Sequence, residues 1–159
     1  MKKYHLFYII AIIMIFSCSR NTKKEKKINS LLPIIEENID NPLIDSNEKQ
    51  MYLFIADEMC LECIIKEFIN IKRDSMTVNV IGYFKDRRNF VSSTNHDFIR
   101  NRVFIARNRL DRYSLPAQPF YFIYNKNTKA ISDIFYPHPC EETLTFNYFQ
   151  KIKNYIFQD

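Results

Sequence analysis

Tryptophan is absent from this chain of 159 residues, and glycine occurs once. A collagen-like repeat is thereby excluded, because it needs glycine at every third position. Four cysteines are too few for a disulfide-dense mini-scaffold, and hydrophobic and aromatic fractions of 47% and 15% are too high for a disordered tail. What remains is about one domain with enough apolar side chains for a packed core. The formal charge is +5, but two of those charges sit on Lys2 and Lys3, in a segment read below as a leader. Lys, Asn, Ile, Tyr and Phe are abundant while Gly and Ala are scarce, a bias that an A/T-rich coding sequence produces without selection for a basic surface. Nucleic acid is therefore not an expected partner.

Long apolar runs are also missing. The longest, residues 6–16 (LFYIIAIIMIF), follows the two lysines and ends at Ser17-Cys18. At 1.5 Å per residue it spans about 17 Å, short of a hydrocarbon core of about 30 Å but right for the apolar region of a signal peptide. The tetrapeptide Ile15-Phe16-Ser17-Cys18 resembles a bacterial lipobox, with Phe16 in place of the usual small residue. That resemblance implies a signal peptide over 1–17, acylation of Cys18, and a membrane lipoprotein of the cell envelope that faces the periplasm, at the outer membrane. An ordinary secretory signal or N-terminal anchor with an incidental cysteine is the alternative. Residues 18–30 follow as a polar tether, whose basic side chains either stay in solvent or touch anionic headgroups at about 1 kcal/mol each.

In residues 31–50, Leu31, Leu32, Ile34, Ile35 and Ile39 recur with roughly helical spacing, with Ser30 as N-cap and Pro33 in the first turn, so a short helical extension is expected. The main domain is expected over 51–159. Residues 51–56 (MYLFIA) have the length and composition of a buried strand. The period then changes: Cys60, Ile64, Phe68 and Ile71 fall on one helical face, with Lys66, Glu67 and Lys72 off it. Residues 77–84 predict a second strand, 89–99 a helix and 103–106 a third strand. An irregular connection leads to Pro119, after which 120–124 (FYFIY) and 130–136 predict a hairpin. A closing helix over 141–157 carries a stripe of Leu144, Phe146, Phe149, Ile152, Tyr155 and Ile156. The order implies an α/β fold: a central mixed β-sheet flanked by helices on both faces, with the N-terminal extension.

A strand that delivers Cys60-Leu61-Glu62-Cys63 to the start of a helix, then β-α-β, then a proline directly before a hairpin and a closing helix, resembles the thioredoxin-like fold. The nearer likeness is to exported, membrane-tethered thiol-disulfide oxidoreductases. The resemblance covers two thirds of the chain and rests on residues 54–63 (FIADEMCLEC) and 118–124 (QPFYFIY). It implies disulfide exchange with exported thiol or disulfide proteins, no cofactor, and a cis bond at Gln118-Pro119 beside the cysteines, where the Gln118 backbone offers a β-edge to an extended substrate. Three departures stand out: Met59 replaces the usual aromatic before the first cysteine, Leu61 and Glu62 replace a Gly or Pro pair, and the hairpin turn lacks glycine.

The chemistry of the pair can also be argued without the family. A thiolate at a helix N-terminus meets unpaired N–H groups and the positive end of the macrodipole, which makes Cys60 the nucleophile; Cys63, one turn on, resolves the mixed disulfide. Asp57, Glu58 and Glu62 oppose ionisation of Cys60, so a weaker oxidant than the strongly oxidising members of the fold is expected. His138 and Cys140 follow the last strand, an end that the resemblance to the thioredoxin-like fold implies lies on the side of the pair; Cys140 is either a further thiol in the relay or an unreactive residue capping the final helix. His96, on the polar helix expected over 89–99, reads as solvated. No metal site is expected: zinc needs four ligands, and beyond the pair and the leader only His96, His138 and Cys140 remain. The functional alternatives are a binding module on the same fold, with the pair inert, and a copper chaperone using Cys60, Cys63 and a histidine such as His138.

Overall fold

The computed structural model describes residues 31–39, 48–106 and 116–156. The leader, Cys18 and the tether lie outside these residues. The described elements are α1 (Leu32–Ile39), β1 (Lys49–Ala56), α2 (Leu61–Arg73), β2 (Val78–Phe84), α3 (Arg87–Ser93), β3 (Ile99–Ala106), β4 (Phe120–Asn125), β5 (Ala130–Phe135) and α4 (Glu142–Ile156). Among them no helix is long and apolar enough to cross a membrane.

The five strands form one mixed sheet in the order β3-β2-β1-β4-β5. β1 pairs with β2 in parallel and with β4 antiparallel, which makes it the central strand. Its near-continuous apolar run is explained by that place, because a strand covered on both faces has no solvent side to supply polar residues. Every residue from Gln50 to Ala56 is buried. Gln50, expected in the helical extension, is thus part of the sheet; its Oε1 accepts from the Tyr52 hydroxyl at 3.0 Å and from Asn79 Nδ2 at 3.4 Å.

The register shows where the helices sit. Leu53 pairs with both Val80 and Tyr121, so these three share a face with Gly82. Tyr121 meets Glu67 of α2 and the ring of Phe149 of α4, while Phe90 of α3 lies directly over Gly82. The expected distribution over both faces does not hold for these three helices. The chain steps outward from β1 to β2 to β3 in one direction, and right-handed crossovers then place both connecting helices on the same side. A Cβ at position 82 would stand 2.2 Å from the Phe90 ring, so the single glycine is what lets α3 close on the sheet.

Three further expectations are corrected. The helix predicted over 89–99 is α3, shorter and earlier: Asp86 caps it by accepting from the Arg88 N–H at 2.6 Å. Its end is set by Thr94, whose hydroxyl donates to the Phe90 carbonyl at 2.7 Å. The residues so released extend β3 back to Ile99. Glu67, expected off the buried face of α2, is 4% exposed. In α4 the buried face is Thr145, Tyr148, Phe149 and Ile152, while Leu144, Phe146 and Tyr155 are exposed.

Candidate functional site

β1 ends in a tight turn that aims the next helix. The Met59 N–H donates to the Ala56 carbonyl at 3.1 Å, and the buried Met59 side chain folds back so that its Sδ accepts from the Ala56 N–H at 3.2 Å. Asp57 ties the turn to β2, donating its N–H to the Tyr83 carbonyl at 3.3 Å and accepting from the Lys85 N–H at 2.9 Å. Met59, in the place of the expected family aromatic, thus pins the turn from inside.

Cys60 follows as the N-cap of α2. Its Sγ accepts from the Cys63 N–H at 3.3 Å, in the way a serine or aspartate oxygen caps other helices. Cys60 is exposed, Cys63 is half-buried, and both are free thiols. A hydrogen bond from the Cys63 thiol, reinforced by the Cys63 and Glu62 N–H groups, holds the Cys60 thiol below its ordinary value. The bond it donates to Cys60, then burial and the Cys60 charge, push Cys63 up. The two thiols are therefore polarised in opposite directions, one toward thiolate and one toward thiol. Of the carboxylates expected to oppose Cys60, Glu62 does so weakly and is outweighed by the donors; the Asp57 carboxylate faces Lys85.

The remaining candidates lie at the same end of the sheet, in different surroundings. Phe54 pairs with Phe120, which puts Pro119 beside the end of β1. Pro119 is buried and Gln118 exposed. Among the described residues no peptide bond is cis, so the expected cis bond at Gln118-Pro119 is corrected to trans, the form intrinsically favoured by about 0.5–1 kcal/mol. β4 is flanked by β1 and β5 and presents no free sheet edge there. A cavity of about 210 Å³ adjoins the turn instead, lined by Phe54, Ala56, Glu58, Met59, Tyr83, Pro116 and Ala117. Sequence reasoning did not find it, because its wall comes from three separated segments.

His138 and Cys140 are exposed, and the Cys140 N–H donates to His138 Nδ1 at 3.3 Å. Their loop is held to α2 by Lys66, whose Nζ donates to the Pro139 carbonyl at 2.6 Å and pairs with Glu142 at 3.0 Å. Among the described residues no three His, Cys, Asp or Glu side chains converge in a way that could hold a metal ion, so Cys60, Cys63 and His138 are not brought together as one ligand set. His96 lies beyond the end of α3 and is half-buried, not fully solvated: it stacks on Phe98 at 5.0 Å and lies 4.8 Å from the Phe68 ring.

Behind the pair lies a group that sequence reasoning missed. Glu67 accepts from the Tyr121 hydroxyl at 2.9 Å and from Asn70 at 3.4 Å, and burial pushes its carboxyl above the usual range. The signal was present in its spacing, three residues after Ile64 and four before Ile71.

Comparison of the chain with protein-family models, with curated proteins and with solved structures found no match, so the reading of the site rests on the chain's own geometry.

Proposed function

We propose that the chain is a lipid-anchored, extracytoplasmic protein of thioredoxin-like fold that exchanges disulfides with exported proteins through Cys60 and Cys63. The observation that carries this reading is the opposite polarisation of the two thiols around the N-cap sulfur of α2. The Cys60 thiolate attacks one sulfur of a partner disulfide; that S–S bond breaks, and the departing sulfur leaves with the electron pair and takes up a proton. Cys63, deprotonated, then attacks Cys60 Sγ and expels the partner's second thiolate. The partner disulfide is reduced to two thiols and the pair is oxidised to a disulfide; the reverse sequence oxidises a partner. The order of elements, with a strand leading into Cys-x-x-Cys on a helix and a hairpin and helix closing the chain, supports the fold reading. Lys2 and Lys3, the run over 6–16 and Cys18 support export and lipidation.

A second reading, a binding module with an inert pair, is favoured by the trans bond at Gln118-Pro119 and by the flanking of β4 by β1 and β5, which leaves that strand no open edge beside the pair. Alkylation of the reduced full-length protein in detergent across a pH series separates the two. Exchange chemistry requires Cys60 to react faster than Cys63, with an apparent pKa below that of a free thiol, and Cys60→Ser to remove the fast phase of mixed-disulfide formation with glutathione disulfide, leaving only the slower reaction of Cys63 and Cys140. Equal rates at both cysteines, or a faster Cys63, would establish the inert reading.

A further inference from the structure

Helix α2 carries a second apolar face, pointing outward. Leu61, Ile65 and Ile69 are 66%, 48% and 58% exposed and stand four residues apart, one above another along the helix. Scattered exposed apolar residues need no explanation, but an aligned row does. The row begins at the residue after Cys60 and ends at a groove of about 230 Å³ floored by Phe68, His96 and Phe98 and bordered by Lys72. The exposed carboxylates of Glu58 and Glu62 flank the cysteine end, so the stripe is negative at its start and positive at its finish.

We infer that this stripe docks the disulfide-bearing segment of the exported partner: an extended stretch of about six residues with a basic side chain next to its cysteine, apolar side chains at alternate positions and an acidic side chain at the far end. This rests on the exchange reading above and names the partner that reading requires. The spacing selects an extended segment. Helix residues four apart rise about 6 Å, and strand residues two apart advance about 6.6 Å, so alternate side chains of a strand meet successive members of the row. From Cys60 to Lys72 the helix rises about 18 Å, which an extended chain covers in five or six residues. The charge order at the two ends fixes the direction in which the segment lies, with its cysteine over Cys60.

The probe is the peptide Arg-Cys-Ser-Ile-Ser-Ile-Ser-Asp carrying glutathione on its cysteine. It is compared with the same peptide with Arg and Asp exchanged, and with glutathione disulfide as a small reference that cannot reach the stripe. Full-length protein in detergent with Cys63→Ser retains the mixed disulfide at Cys60 for measurement. Ile69→Ser should lower the peptide rate about tenfold relative to the reference rate, and exchanging the peptide's end charges should also slow it. Val91→Ser, an exposed apolar residue on α3, should leave the ratio unchanged. A ratio insensitive to both Ile65→Ser and Ile69→Ser, or to the charge exchange, would overturn the inference. It would equally be overturned by self-association of the parent chain that Ile69→Ser abolishes, or by vesicle binding that the same substitution abolishes, since either gives the stripe another occupant. If Cys60 reacts with no disulfide, the exchange reading fails by itself. Docking is then read from the fluorescence anisotropy of the labelled peptide with Ser in place of Cys: weakening by Ile69→Ser upholds it, and no saturable binding overturns it.

Discussion

The inner and outer faces of α2 differ in a way that reverses the usual expectation for an amphipathic helix. The inner face, Ile64, Glu67, Phe68 and Ile71, includes a carboxylate at 4% exposure; the outer face includes three large aliphatic side chains open to solvent. Polarity alone does not orient this helix. What orients it is the partner each side chain finds: Glu67 faces inward because Tyr121 and Asn70 supply donors there, and a buried polar group with donors is tolerated where an unpaired one is not. The inner face holds the domain together, and the outer face is available for contact.

That contrast can be broken at either face. The largest effect is expected at Ile71, which is fully buried: Ile71→Ala should cost about 2–5 kcal/mol of stability in chemical denaturation. A cost near zero would show that the inner face collapses around the missing methyl groups and is not the holding face. Tyr121→Phe comes next. It removes the hydroxyl that donates to Glu67 and leaves a buried acceptor short of a partner, a loss of about 1–3 kcal/mol.

Glu67→Gln sharpens the comparison through pH. Burial raises the Glu67 carboxyl in the folded protein above its unfolded value of about 4.3, so the folded state prefers the neutral acid. The stability that this preference contributes is complete below the unfolded pKa and is lost as pH rises through the folded one. The variant, which cannot ionise, should therefore gain on the parent between acid and neutral pH in parallel denaturation series; a constant difference would mean that Glu67 does not titrate with folding. The smallest effect belongs to the outer face: Ile69→Ser should change stability by no more than about 0.5 kcal/mol. A larger loss in thermal melts would make the outer stripe part of the core.

Where the sequence carries short continuous apolar runs or a clear change of period, its reading and the structure agree: β1, β2, β4 and the start of α2 lie within a residue or two of their expected bounds. Such runs are legible because a buried strand needs little beyond apolar side chains of sufficient number. The segment from Lys85 to Ala106 was read less well. α3 is set by two side-chain caps, at Asp86 and Thr94, and β3 accommodates Arg100, Asn101 and Arg102 because an edge strand has one side to spare for them. At the candidate site, the placement of Cys60 and Cys63 at the start of α2 was legible from the change of period after β1. The trans bond at Pro119, the cavity beneath Met59 and the buried pair of Glu67 and Tyr121 depend on segments far apart in the chain, and no local pattern announces them.

The central place of β1 has a consequence for how the molecule comes into being. One edge of β1 is satisfied early, by β2, whose partners lie within about 30 residues. The other waits for β4, about 70 residues later, with Met51 pairing to Ile123 and Phe54 to Phe120. Until those late residues arrive, the central apolar strand of the sheet presents an open edge, and closing so long a loop is slow. A nascent chain held before Phe120 is thus at its most adhesive, and a truncation there should aggregate, whereas one that keeps β4 and β5 closes the edge. The hairpin of β4 and β5 is what ends that exposure.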